Sequence, residues 1–205
     1  MGFIHQVVAL LGLTIDNQKV QAFLANYPTL KIDKPSSGSQ YVIGKAYGFD
    51  LLFDGGRMPK DRPLTTLFLY ADNIHKHKGF TGELPLGFEF MQTHKALAAI
   101  KHPDTTWVIG EGRVPSNHPA PDSATWITPE FNLFASYLND SIEAHIFQIQ
   151  PYEPLDIENE WKPAPTWQKM ALEKNIVEAI KLYRSEHNVG MAEAKKAIEE
   201  YVSAI

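Results

Sequence analysis

The 205-residue chain contains no cysteine, which excludes disulfide frameworks, thiolate catalysis and zinc ribbons by composition alone. No apolar run approaches the roughly eighteen residues that a membrane-spanning helix needs. A basic excess is also missing. Lys and Arg number 19 against 24 Asp and Glu, a formal net charge of −5, the wrong sign for a protein that grips phosphate backbones. The opening Met1-Gly2-Phe3-Ile4-His5-Gln6 lacks the basic flank of a secretion signal, and the apolar run from Val7 to Leu13 is too short to span a bilayer. Gly-x-Ser-x-Gly, a phosphate-cradling glycine loop and His-Glu-x-x-His are all missing. These absences predict a cytoplasmic protein with no nucleic-acid partner, no membrane partner, no cofactor, no metal and no catalytic residue that a motif identifies.

What is present suits a packed domain, with 44% hydrophobic and 21% charged residues. Residues 3–12 read as a short apolar helix. A second helix is expected to begin at Asp16 as N-cap, with Val20, Phe23, Leu24 and Tyr27 on one face, and to stop at Pro28. From Gln40 the pattern changes to strands: Tyr41–Ile43, Phe49–Phe53 ending in the turn Asp54-Gly55-Gly56, and Leu64–Tyr70. Short breaks between them predict an antiparallel meander. Residues 79–88 read as an ordered loop. A short helix follows, capped by Thr93, with Ala96, Leu97 and Ile100 as its apolar face and His102-Pro103 as its stop. Strands are expected at Thr106–Ile109, Thr125–Ile127 and Ile142–Ile149, with Gly110-Glu111-Gly112-Arg113 as a turn and a proline-bearing surface loop at Val114–Pro121.

The prolines Pro151, Pro154, Pro163 and Pro165 mark residues 151–165 as a linker. Beyond it, helical periodicity predicts one helix over about 166–187 and a second from Met191 to about Ser203, with Met191, Ala194, Ala197, Ile198, Tyr201 and Val202 facing inward. The expected fold class is α+β: a mainly antiparallel sheet with N-terminal helices (1–150), then the linker, then a C-terminal helical hairpin (166–205).

Two side-chain groups bear on chemistry. His75-Lys76-His77 would set two imidazoles on one face of an extended strand, with His94 and His102 further on, yet neighbouring lysines and the lack of a second ligand pair argue against a cation. Asp50, Asp54, Glu83 and Glu111 could pair for acid–base work only if the fold brought them together.

Two stretches carry family resemblances. Ile176-Val177-Glu178-Ala179-Ile180-Lys181-Leu182-Tyr183-Arg184 and Gly190-Met191-Ala192-Glu193-Ala194-Lys195-Lys196-Ala197-Ile198-Glu199 resemble the helical hairpin of the bacterial ribosomal stalk protein's C-terminal domain, with Gly190 in the turn and alanines allowing close helix approach. The strands that complete that domain are missing, so the resemblance implies a docked helical pair and no ribosomal role. Phe49-Asp50-Leu51-Leu52-Phe53-Asp54-Gly55-Gly56, Leu67-Phe68-Leu69-Tyr70 and Gly79-Phe80-Thr81-Gly82-Glu83-Leu84-Pro85-Leu86-Gly87, followed by the short helix, His102-Pro103 and Trp107, are similar to bacterial immunity proteins encoded beside polymorphic toxins. Over about residues 40–110, that resemblance implies a non-enzymatic protein that neutralises a cognate toxin by occluding its active site or substrate path. Candidate partner-binding residues are Glu83, Tyr152, Glu160 and Trp161, exposed acids and aromatics suited to an interface. The alternatives are a small metal-dependent hydrolase using the His75/His77 region and a protein-binding scaffold acting through the C-terminal hairpin.

Overall fold

The computed structural model describes residues 2–35, 38–56, 58–118, 120–137, 142–154, 167, 171, 176–187 and 190–203. The chain forms two compact units, Met1–Glu158 and Asn159–Ile205. The first holds helices α1 (Phe3–Val8), α2 (Gln18–Leu24) and α3 (His94–Ile100) and nine strands: β1 (Lys31–Ile32), β2 (Ser39–Gly44), β3 (Phe49–Asp54), β4 (Leu64–Tyr70), β5 (Thr105–Val108), β6 (Gly112–Arg113), β7 (Ser123–Ile127), β8 (Phe131–Tyr137) and β9 (Ala144–Pro151). They make one sheet in the order β1-β2-β3-β4-β9-β8-β7-β5-β6, antiparallel at every pairing. The α+β architecture, mainly sheet with helices at both ends of the chain, is therefore the one its periodicity predicts, and β2 to β4 form the expected meander, which the two-residue β1 extends.

Period-two alternation explains which face is buried. Ladder partners place Val42, Leu51, Leu67, Ile149, Leu133 and Trp126 in a single row across six strands, and all six are fully buried. The next row runs Phe49, Leu69, Phe147, Ala135 and Ala124. On this face sit Ile4 and Val7 of α1, Val20 and Phe23 of α2, and Phe80, Leu84, Leu86, Phe88 and Phe90 from the loop after β4. The aromatic rings interlock: Phe3 lies 5.0 Å from Phe49 and 4.9 Å from Phe80, the tilted spacing that ring quadrupoles favour.

Several local expectations are corrected. Asn17, not Asp16, caps α2, its side chain accepting from the Lys19 amide at 2.9 Å. On α3 the inward residues are His94 and Leu97, and Ile100 is exposed. Strand β8 was not expected, although Phe131, Leu133, Ala135 and Tyr137 are all buried at alternate positions. The Gly110–Arg113 turn is a hairpin that carries the two-residue strand β6. In β9 the register shifts opposite Ser136/Tyr137, and this bulge lets Ala144 join Phe147 and Ile149 on the core side while Ile146 leaves it.

The second unit contains α4 (Ile176–His187) and α5 (Met191–Ser203). Its small core is Ala171, Ala179, Ile180, Ala194 and Ile198, with Trp167, Ile176 and Tyr183 packed against it. Ala179 and Ala194 are fully buried, so the small residues do allow close approach, but Met191 and Val202 point to solvent. Gly190 needs no special conformation: an added Cβ would meet nothing within 4 Å. Its carbonyl accepts the Ala194 amide as the first bond of α5. Residues 155–166, most of the expected linker, lie outside the described residues.

Candidate functional site

The stretch joining β4 to α3 is where the backbone leaves ordinary conformations. Asn73, His75, Lys76, Leu86 and Met91 have φ of 64°, 49°, 65°, 62° and 63°, and among the described residues no other non-glycine residue has positive φ. Left-handed backbone costs about 1–2 kcal/mol for a residue with a side chain, so five within one connection need a surrounding structure that enforces them.

That structure begins with Asp50. Its side chain lies on the sheet face opposite the core, only 7% exposed. Oδ1 accepts the Gly44 amide at 2.9 Å and the His77 Nε2–H at 2.8 Å, and Oδ2 accepts the Tyr70 hydroxyl at 3.1 Å. His77 is stacked on Tyr70 with ring centroids 4.0 Å apart, and its Nδ1 lies 3.2 Å from the Ile74 carbonyl. Both ring nitrogens thus face oxygen acceptors. The His75-Lys76-His77 segment is not a strand: Ile74–Lys76 form a 3-10 turn that ends at His77, His75 is exposed, and both nitrogens of His77 are spent inside the protein. The two imidazoles are not offered together to a ligand. Among the described residues no group of three or more His, Cys, Asp or Glu is arranged to hold a metal.

Past His77 the chain crosses the β2–β3 turn, with Lys78 N donating to Lys45 O and Phe80 N to Tyr70 O. It then lies along the core face. A Cβ at position 82 would sit 2.4 Å from the Phe80 ring and would have to displace it from its place beside Phe3. Leu84 and Leu86 pack inward, and Glu83 and Glu89 stand exposed. Shallow clefts flank this loop. One of about 490 Å³ is lined by residues 81–84 and 87–90. Another of about 570 Å³ lies between Glu83 and the start of α1 and reaches Phe131. Phe131 pairs with Pro151, and Tyr152, 49% exposed, follows directly. Two of the four expected anchors, Glu83 and Tyr152, are therefore exposed near one end of β9. Glu160 and Trp161 lie outside the described residues. The four carboxylates do not converge: Asp50 is sealed by His77 and Tyr70, Asp54 accepts from the Gly55 amide in its own turn, and Glu83 and Glu111 are exposed.

A deeper cleft of about 590 Å³ lies beside α3. There His94 and His102 converge on Ser116, a residue that no motif had marked. His94 Nε2–H donates to the Ser116 carbonyl at 2.6 Å and His94 Nδ1 accepts from the Tyr137 hydroxyl at 3.0 Å, while the Ser116 hydroxyl lies 2.8 Å from His102 Nε2.

Burial raises the Tyr137 phenol far above its ordinary value, and burial, followed by the Asp50 carboxylate, does the same for Tyr70. Unfolded, both would ionise near 10. Above that pH the unfolded chain binds fewer protons than the folded one, so stability must fall as pH rises. Urea midpoints should hold to about pH 9 and then drop. Combining Tyr70→Phe with Tyr137→Phe should flatten the fall, and an unchanged slope in that double variant would refute the assignment.

No protein-family model matches the chain, and no curated protein matches it. Among solved structures, an extracellular protein containing an SCP domain from Bacillus anthracis aligns at 10% identity and a TM-score of 0.45, over 90% of this chain and 61% of that one. The chain thus spans about three fifths of that protein's length.

Proposed function

We propose that the chain is an immunity-type binding protein, acting in the bacterial cytoplasm, that neutralises a cognate toxin by covering its active site or substrate path. The observation that carries this reading is the concentration of left-handed, side-chain-bearing backbone in residues 73–91, the segment that presents Glu83 between two clefts. Strain of this kind persists where a surface must keep one shape, and it clusters at binding and switching sites. A rigid loop also loses little entropy on association. The net charge of −5 and the exposed Glu83 and Glu89 suit a basic toxin surface, whose encounter an acidic face accelerates.

The test is co-expression with the product of the neighbouring gene. A stable 1:1 complex and protection of cells making that product are expected. Glu83→Lys should weaken the complex about tenfold or more, mostly through slower association at low salt. The reading fails if the two proteins do not co-purify and the cells are not protected.

A further inference from the structure

We infer that Ser116 is a nucleophilic serine, with His102 as its general base, in a cleft that accepts esters of small apolar acyl groups. The inference does not depend on toxin binding and uses none of the residues assigned to it. The Ser116 hydroxyl and His102 Nε2 are 2.8 Å apart, and Nδ1 of the same ring lies 3.0 Å from the Pro103 carbonyl. A carbonyl only accepts, so Nδ1 carries the proton and Nε2 turns its lone pair to the hydroxyl. That tautomer is the one able to take a proton from serine, and a base oriented by a third group is the general pattern of an activated hydroxyl. Here the orienting group is a main-chain oxygen.

The serine is fixed from below. His94 is 5% exposed and Tyr137 5%, and the chain of bonds from the Tyr137 hydroxyl through His94 to the Ser116 carbonyl ties the surface loop to the core. A loop serine without such support would lose the geometry that makes a neighbouring base effective. The cleft, about 590 Å³, has an apolar wall from Ala98 and Ile142, and Lys95 and Asn117 also line it. Among the described residues no carboxylate does so. In a chain of net charge −5, the described lining offers Lys95 and Asn117 as N–H donors to a developing oxyanion.

The step balances without a further reactant. Ser116 Oγ attacks the acyl carbon and its proton passes to His102 Nε2. The bond from carbon to the leaving alcohol oxygen then breaks, and the alcohol takes that proton. Water attacks the acyl-serine and gives a proton to His102. The carboxylic acid departs as Ser116 Oγ regains the proton.

The full chain should be treated with a fluorophosphonate probe and, separately, with p-nitrophenyl butyrate. Labelling located at Ser116 by peptide mass spectrometry is expected, as is a p-nitrophenol burst of about one equivalent. Ser116→Ala should abolish both, and His102→Ala should slow labelling about a hundredfold. The labelled residue is read in the unaltered chain, so the result does not hang on whether a variant folds. Absence of labelling in the folded chain, labelling at another residue, or an undiminished burst in Ser116→Ala would each overturn the inference.

Discussion

Replacing Asp50 by alanine should lower the unfolding free energy by about 3–5 kcal/mol, because three buried donors lose a carboxylate acceptor at once. The carboxylate answers three donors at once, the Gly44 amide, the Tyr70 hydroxyl and His77 Nε2, and His77 is only 4% exposed. Taking the carboxylate away leaves those donors, in a buried setting, facing a methyl group. Urea denaturation measures the loss. Combining Asp50→Ala with His77→Ala should cost less than the two single losses added together, because the second change removes the stranded ring. Strict additivity, or a loss under about 1 kcal/mol for Asp50→Ala, would show that the contact behaves as a weak surface pair. His77 fastens the turn that launches the Glu83 loop, so under the proposed function Asp50→Ala should also weaken partner binding even where the chain remains folded.

The amphipathic strands were legible because their signal is local: Phe49, Leu51 and Phe53 alternate with Asp50 and Leu52, and those three join the core. The Thr93 cap was legible for the same reason, since its hydroxyl accepts the Ala96 amide three residues on. Strand β8 carried an equally regular alternation, but Asn132, Ala135 and Ser136 thin its hydrophobic signal, and strands of two residues such as β1 and β6 fall below any periodicity. The site was harder to read. Asp50 in a strand of apolar residues looks like an outward-facing carboxylate, and only the arrival of His77, 27 residues later, shows that it is buried. Ser116 and His102 sit in unpatterned loop sequence, 14 residues apart, and no spacing rule joins them. The left-handed positions 86 and 91 are occupied by Leu and Met, residues that give no hint of such backbone, whereas Asn73 does.

Gly48→Ala should be among the most damaging single-methyl additions to the chain. Gly48 has φ of +74°, and a Cβ there would lie 2.2 Å from Phe80 N and 2.5 Å from Lys78 O. These are main-chain atoms, so no rotamer change relieves the clash. Lys78–Phe80 is also the segment that carries the chain from the Asp50 side of the sheet to the core side, and Tyr70 N donates to Gly48 O beside it. Gly55 supplies the control: its φ is +88° and nothing lies within 4 Å of an added Cβ. Gly55→Ala should therefore cost only the left-handed penalty of about 1–2 kcal/mol. Gly48→Ala carries that penalty and must also push the crossing segment away, which should bring the total to about 4 kcal/mol or more. In a domain of this size that corresponds to a fall in melting temperature of roughly 10 °C. Because the displaced residues lead straight into Glu83, the proposed toxin binding predicts an affinity that drops with Gly48→Ala and stays near its original value with Gly55→Ala. Equal losses of stability in the two variants would mean that the crossing yields readily and that the loop's rigidity has another source. Equal affinities would detach that rigidity from recognition, leaving the strained backbone of residues 73–91 to be explained by folding alone.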